Sequence, residues 1–150
     1  MQLTGNKKKE KTYTIIIGCG RLGADLATRF SGEEEDVLVI DKDKDAFRKL
    51  SPSLGIFTLI GDAMDFATLQ EAQIEKAHLI VAVTDNDNAN IFVAQLARQK
   101  FKVDHVITRL YDPERECVYN ALGIETICPA VLSANEICKI ASAKDGQPHE

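Results

Sequence analysis

The sequence predicts one α/β domain, a Rossmann-like doubly wound parallel sheet of about six strands with helices on both faces and a C-terminal helix. Three observations carry that expectation. Apolar, β-branched runs alternate with helical stretches along the whole chain. The runs at 13–17 (YTIII) and 79–83 (LIVAV) are apolar on both faces, as strands buried inside a parallel sheet are. A glycine-rich turn, Gly18-Cys19-Gly20-Arg21-Leu22-Gly23, follows the first run and opens the first helix.

The elements follow in order. The strand at 13–17 ends at Gly18, and a helix covers 21–30, where Leu22, Leu26 and Phe30 recur at i, i+4 and i+8 as one apolar stripe. Residues 36–41 (DVLVID) form the second strand, and a short helix at about 43–50 stops at Ser51-Pro52. Residues 56–60 (IFTLI) form the third strand, after which Asp65 caps a short helix containing Phe66 and Leu69. The fourth strand is 79–83. A longer helix runs from about 87 to 100, and 104–110 (DHVITRL) is the fifth strand. Pro113 opens another helix, 124–127 is a short sixth strand, and the last helix spans about 130–142. The expected organisation is an N-terminal arm at 1–12, a domain at 13–142 and a polar tail at 143–150.

The 150 residues suit about one domain. Eighteen Lys and Arg against 23 Asp and Glu leave a net charge of −5, which argues against a general nucleic-acid binder. Lys7, Lys8 and Lys9 are the one basic run and read as a solvated tail. No apolar run reaches the roughly 18–20 residues that span a bilayer, and the polar start MQLTGNKKKEKT is no secretory signal, so a cytoplasmic protein is expected. The four cysteines, Cys19, Cys117, Cys128 and Cys138, show no CxxC spacing, and His78, His105 and His149 lie far apart, so no metal site is expected.

The glycine loop is the strongest chemical signal. Gly18 allows the tight turn, Gly20 leaves room for a pyrophosphate against the backbone, and Gly23 lets the helix pack closely on the strand. Free amides and the dipole at that helix start attract phosphate. Asp41 ends the second strand, 18 residues after Gly23, where a carboxylate accepts from both ribose hydroxyls and repels a 2′-phosphate. It does not separate NAD from ATP, ADP or AMP, and it can instead cap the helix at 43–50, a role for which Asp43 competes. Lys42 is placed in the same site. Gly61-Asp62-Ala63 and Val83-Thr84-Asp85-Asn86-Asp87-Asn88 fall at the ends of the third and fourth strands, where open α/β sheets bind ligands, though these are also ordinary turn residues. Cys19, inside the loop at a helix start, is in a setting that can lower a thiol pKa, but it reads better as a small residue tolerated between two glycines.

Together GCGRLG, VLVID, GDA followed after a short helix by IEKAHLIVAVTDND, and ITRLYDP make the chain resemble the N-terminal nucleotide-binding domain of the TrkA/Ktr/RCK family, cytoplasmic regulators of bacterial potassium transporters and channels. The resemblance covers about residues 12–142. It implies that Gly18, Gly20, Arg21 and Gly23 hold phosphates, with Cys19 and Leu22 in the same cofactor-binding loop, that Asp41 binds ribose with Lys42 in the same site, and that Asp62 and Ala63 bind adenine. Thr84 and Asp85 would face the ligand's other end. Arg21 would meet a distal phosphate of its own nucleotide or of a dimer partner's, a role that suits a guanidinium. Arg109 would lie near the cleft or the dimer interface, with a surface salt bridge as the plainer reading, and acidic residues near Glu125 form cation sites in some relatives. The resemblance further implies a ligand drawn from NAD(H), ATP, ADP and AMP, a homodimer or larger ring, and a separate membrane-embedded potassium transporter or channel subunit as partner, with no membrane insertion of this chain. The helix at 130–142 would be a crossover helix packed on a second subunit; its apolar residues exceed one stripe, which also suits a groove within the same domain.

Many relatives carry a second lobe after this helix, so the sequence is either a piece of a longer protein or a stand-alone nucleotide domain. An NAD-dependent oxidoreductase is the alternative, but there is no room for a substrate domain and no Tyr-x-x-x-Lys pair: Tyr13, Tyr111 and Tyr119 are followed four residues on by Ile17, Arg115 and Gly123. A structural oligomerisation domain with a vestigial cleft is the third reading. The expectation is a regulatory module, not an enzyme.

Overall fold

The structure, a computed structural model, describes residues 10–52 and 55–144. The Lys7 to Lys9 run, His149 and most of the expected arm and tail lie outside the described residues. Six strands form one sheet in the order β3-β2-β1-β4-β5-β6, and every pairing is parallel. They are β1 (Thr12–Ile17), β2 (Glu35–Asp41), β3 (Ile56–Ile60), β4 (Leu79–Ala82), β5 (His105–Arg109) and β6 (Glu125–Ile127). The helices are α1 (Arg21–Phe30), α2 (Phe66–Glu71), α3 (Asp87–Gln95), α4 (Glu116–Ala121) and α5 (Pro129–Lys144). The doubly wound sheet is the predicted one.

Period-two alternation along the strands divides the core. Ile15 and Ile17 of β1 pack with Ile40, Ile80, Leu69 and Val93 on one face. Ile16 packs on the other with Val37, Val39, Val81 and Ala27. The sheet is thus buried on both sides, as the apolar strands at its centre require. Ile17 stands level with Ile40 of β2 and with Ala82 of β4, so the loops after β1 and β4 leave the sheet side by side. They diverge at the switch in strand order, where a cleft opens.

Four local expectations change. The stripe Leu22, Leu26, Phe30 meets the core only in part: α1 buries Gly23, Ala24 and Ala27, Leu26 and Phe30 pack half-buried against the core, and Leu22 is exposed. The cause is the closeness of α1 to β1, since a Cβ on Gly23 would lie 1.9 Å from the Gly18 carbonyl oxygen. Only small residues fit beneath the helix, and larger ones flank it. The segment predicted as a helix at 43–50 is a 3-10 helix at Lys44–Lys49, begun by Asp43, whose carboxylate accepts from the Asp45 amide at 2.9 Å. The helix predicted over 87–100 is α-helical only to Gln95; Leu96–Lys100 form a wider π turn, where the Phe101 amide reaches the Leu96 carbonyl at 3.1 Å and the Phe101 ring stacks on Phe66 at 5.5 Å.

The last difference is the largest. The alternative of a groove within the same domain falls away for α5, because among the described residues none covers it. All side chains from Ala130 to Ala143 are exposed, including Leu132 at 55% and Ile137 at 66%. The helix leaves the sheet through the Leu132 amide on the Cys128 carbonyl and then stands clear.

Candidate functional site

The cleft at the carboxyl ends of the strands has a volume of about 370 Å³. Of the thirteen predicted residues it is lined by Gly18, Cys19, Gly20, Asp41, Lys42, Asp62, Ala63, Thr84, Asp85 and Arg109, with Arg21, Leu22 and Gly23 outside the lining. A larger surface hollow, about 760 Å³, lies at the opposite ends of the strands around Tyr13 and His78, and it contains none of those residues. The smaller cleft is the candidate site, because the glycine loop and the carboxyl ends of the central strands line it.

The glycine loop is built by contact with the two neighbouring strands. Gly18 has φ +102°, and a Cβ there would sit 2.9 Å from the Thr84 amide nitrogen, so a side chain is excluded twice over. A Cβ on Gly20, by contrast, would meet nothing within 4 Å, which leaves open space above the start of α1. Gly20 caps α1 without a side-chain hydrogen bond, and the first turn carries no acidic residue. The first amides of a helix have no intrahelical acceptor, so this open space faces unpaired donors. The Arg21 side chain is exposed, with no hydrogen bond or ion pair among the described residues.

Asp41 holds the loop from below. Its Oδ2 accepts the Cys19 amide at 2.8 Å and its Oδ1 accepts the Asp43 amide at 2.8 Å. Asp43, not Asp41, caps the following 3-10 helix, so the capping alternative for Asp41 falls away. Each carboxylate oxygen keeps further acceptor capacity for a diol. The Cys19 side chain has no exposed surface and packs with Ala24, Val39 and Ala46. Burial, and next the Asp41 charge, push its thiol pKa up, with Lys49 opposing. The lowering that a helix start can give does not occur, and the preferred reading of Cys19 as a small residue buried between two glycines agrees with its place in the core.

Asp62 Oδ1 accepts the Met64 amide at 2.9 Å, fixing the turn after β3. On the far wall, Arg109 donates from Nη2 to the carbonyls of Val83 at 2.9 Å and Thr84 at 2.8 Å and lies over the Tyr111 ring, 5.1 Å from its centroid. It makes no ion pair among the described residues, so the salt-bridge reading is replaced by a contact between strand ends. Its Nε is buried with no hydrogen-bond partner among the described residues. Glu125 is exposed at the start of β6, and among the described residues no group of three or more His, Cys, Asp or Glu side chains is placed to hold a metal ion.

Sequence reasoning missed Lys49 and Met64, which also line the cleft, and Asn90 behind it, while Asn86 of the segment after β4 lines the cleft as well. Lys49 arrives because the 3-10 helix folds back toward Asp41. The signal for Asn90 was an amide side chain inside the apolar run of α3, where a polar group needs internal partners.

The TrkA-N domain family matches residues 14–129. The Trk system potassium uptake protein TrkA of Streptomyces coelicolor is 38% identical over 136 residues, 91% of this chain and 61% of that protein. A TrkA homolog of Methanothermobacter thermautotrophicus is 30% identical over 129 residues, 85% of this chain and 59% of its own length. The chain thus spans about three-fifths of each of these relatives. Among solved structures, the TrkA-N domain of the inner membrane protein YbaL from Escherichia coli superposes with TM-score 0.74 at 18% identity, covering 87% of this chain and 96% of that one. The Kef CTD of Shewanella denitrificans in an AMP-bound form gives TM-score 0.75 at 20% identity, covering 91% and 83%. The GsuK channel bound to NAD gives TM-score 0.65 at 16% identity, covering 81% of this chain and 22% of that chain.

Proposed function

The chain belongs to the TrkA-N domain family, and from that premise we propose that it is a nucleotide-binding regulatory module of a potassium transporter or channel. The observation that carries the reading is the pairing of the Cys19 amide with Asp41 beneath the open space at Gly20, which sets a diol acceptor beside the start of α1, whose first amides have no intrahelical acceptor. A nucleotide would lie with its phosphates at Gly18, Gly20 and the start of α1, its ribose at Asp41 and Lys42, and its adenine at Asp62 and Ala63. Thr84, Asp85 and Arg109 would face its other end. Arg21, outside the cleft lining, would reach a distal phosphate of the same nucleotide or of a partner subunit's. The ligand is NAD(H) or one of ATP, ADP and AMP; the NAD-bound and AMP-bound relatives support that class.

The module carries out no reaction. It works by binding, and a ligand shifts a conformational balance only by contacting the two states differently. The exposed apolar face of α5 supports a homodimer joined through that helix, whose geometry responds to the ligand and is read by a separate membrane subunit at the cytoplasmic face. The absence among the described residues of any helix long and apolar enough to cross a membrane is consistent with a separate pore subunit.

A thermal-shift panel with NAD⁺, NADH, NADP⁺, ATP, ADP and AMP tests it. A ligand at 100 times its Kd adds about 2.7 kcal/mol, roughly 5–10 °C for a domain this size. A rise with adenine nucleotides but not with NADP⁺ is expected. No rise with any of them, on protein free of co-purified nucleotide, overturns the reading.

A further inference from the structure

Asn90 is a polar side chain with 0% exposure, set in the first turns of α3. Its Oδ1 accepts from the Thr84 amide at 2.9 Å and the Thr84 hydroxyl at 2.6 Å. Its Nδ2 donates to the Thr84 carbonyl at 3.0 Å and the Arg109 carbonyl at 3.1 Å. One amide group thus uses its full hydrogen-bonding capacity to join the exits of β4 and β5. Helix capping does not account for it, because Asn86 caps α3 by accepting from the Ala89 amide at 3.0 Å.

Both ends of this clamp lead somewhere. Toward the cleft, the Thr84 backbone is the surface on which Gly18 packs. Away from it, the Asp87 carboxylate accepts the Tyr111 amide at 3.0 Å and the Asp112 amide at 3.2 Å, and Asn88 accepts from Arg115 at 3.1 Å. The first turn of α3 therefore grips the cleft wall on one side and the connection into α4 on the other. The Asn90 amide, buried and with every donor and acceptor used, holds the exits of β4 and β5 in one geometry.

We propose that Asn90 is a positioning residue of the nucleotide cleft: it fixes the Thr84 wall and, with Asp87, makes that wall, the end of β5 and the start of α4 one unit, so that cleft occupancy is transmitted to the α4–α5 face. The proposal rests on the nucleotide reading above. Amide hydrogen exchange on the whole chain, with ADP and NADH as probes, tests it. In the wild type, ADP protects the Gly18–Gly20 loop and Thr84, and also the Tyr111 and Asp112 amides, which lie outside the cleft. Asn90→Asp keeps the acceptor but turns the donor into an oxygen facing two carbonyls. It lowers ADP affinity about tenfold, as loss of buried hydrogen bonds does. It also removes ADP protection at Tyr111 and Asp112 while saturating ADP still protects the loop. Val106→Ala, a core change in β5 away from the cleft, lowers Tm but leaves affinity and protection pattern as in the wild type.

Wild-type protection confined to the cleft overturns the proposal. So does an Asn90→Asp protein with wild-type affinity and pattern, or a Val106→Ala protein with the same losses. If Asn90→Asp does not fold, the wild-type pattern and Asp87→Ala decide, the latter expected to lose protection at Tyr111 and Asp112 alone. If neither probe binds the wild type, the nucleotide reading itself has failed and the proposal falls with it.

Discussion

The Cys19 amide donates to the Asp41 carboxylate at 2.8 Å, tying the glycine loop after β1 to the end of β2. The same carboxylate takes the Asp43 amide through its other oxygen. Asp41 therefore shapes the loop before any ligand arrives. Asp41→Asn keeps one acceptor oxygen and removes the negative charge. The expected result is a loss of about tenfold in affinity for NAD⁺, ATP and AMP alike, the scale of a charged hydrogen bond, with NADP⁺ losing less or gaining. Calorimetric titration of the four ligands checks this. Unchanged affinity throughout would confine Asp41 to holding the loop.

Arg21 stands exposed at the start of α1, with no partner among the described residues. A cation there is opposed by the helix dipole, so it is best placed when an anion is near. Arg21→Ala is expected to change stability by less than about 0.5 kcal/mol, as surface changes do. It should weaken ATP more than ADP and ADP more than AMP. An equal loss for AMP and ATP contradicts contact with a distal phosphate.

Tyr13 donates its hydroxyl to the Ala72 carbonyl at 2.6 Å. Burial first, then the charges of Glu75 and Asp36, push its pKa from 10.0 up to about 12. The folded state holds this proton more tightly than the unfolded chain does. Its contribution to stability is whole below pH 10 and is lost as pH rises toward 12. Urea midpoints measured across that window should fall more steeply for the wild type than for Tyr13→Phe. Parallel curves would mean that other groups govern alkaline unfolding.

Cys19 is buried with a raised pKa, whereas Cys117 and Cys138 are exposed. Alkylation by iodoacetamide at neutral pH, followed by peptide mass analysis, should label Cys117 and Cys138 first and Cys19 last. Early labelling of Cys19 would show that the loop opens readily.

The α5 side chains Leu132 and Ile137 are more than half exposed. Sedimentation should find the wild type self-associated and the Leu132→Glu/Ile137→Glu double variant shifted to monomer with its helix content kept. A wild type that stays monomeric at high concentration removes the dimer from the proposed function.

Local chemistry made most of the fold legible. The β-branched runs, the glycine loop and the polar residues at strand ends each announce themselves over a few residues, and the structure gathers ten of the thirteen predicted site residues around one cleft. Lys49 was not legible, because nothing near it in sequence marks it, and Asn90 was marked only as an amide beside the apolar run of α3, with no sign of its partners. Lys49 is brought in by a 3-10 turn, and Asn90 acquires its role from carbonyls at Thr84 and Arg109, the latter 19 residues away.

By itself the sequence determined the alternation of strands and helices, the parallel sheet and the position of the glycine loop. Those properties depend on side-chain periodicity and on glycine conformation, which are local. Only the tertiary structure decided that Cys19 faces the core, that small residues rather than Leu22 lie under α1, that Asp43 caps the 3-10 helix, and that α5 stands clear of the domain. Each depends on how closely two segments distant in sequence approach, and that distance is set by the packing of the whole sheet.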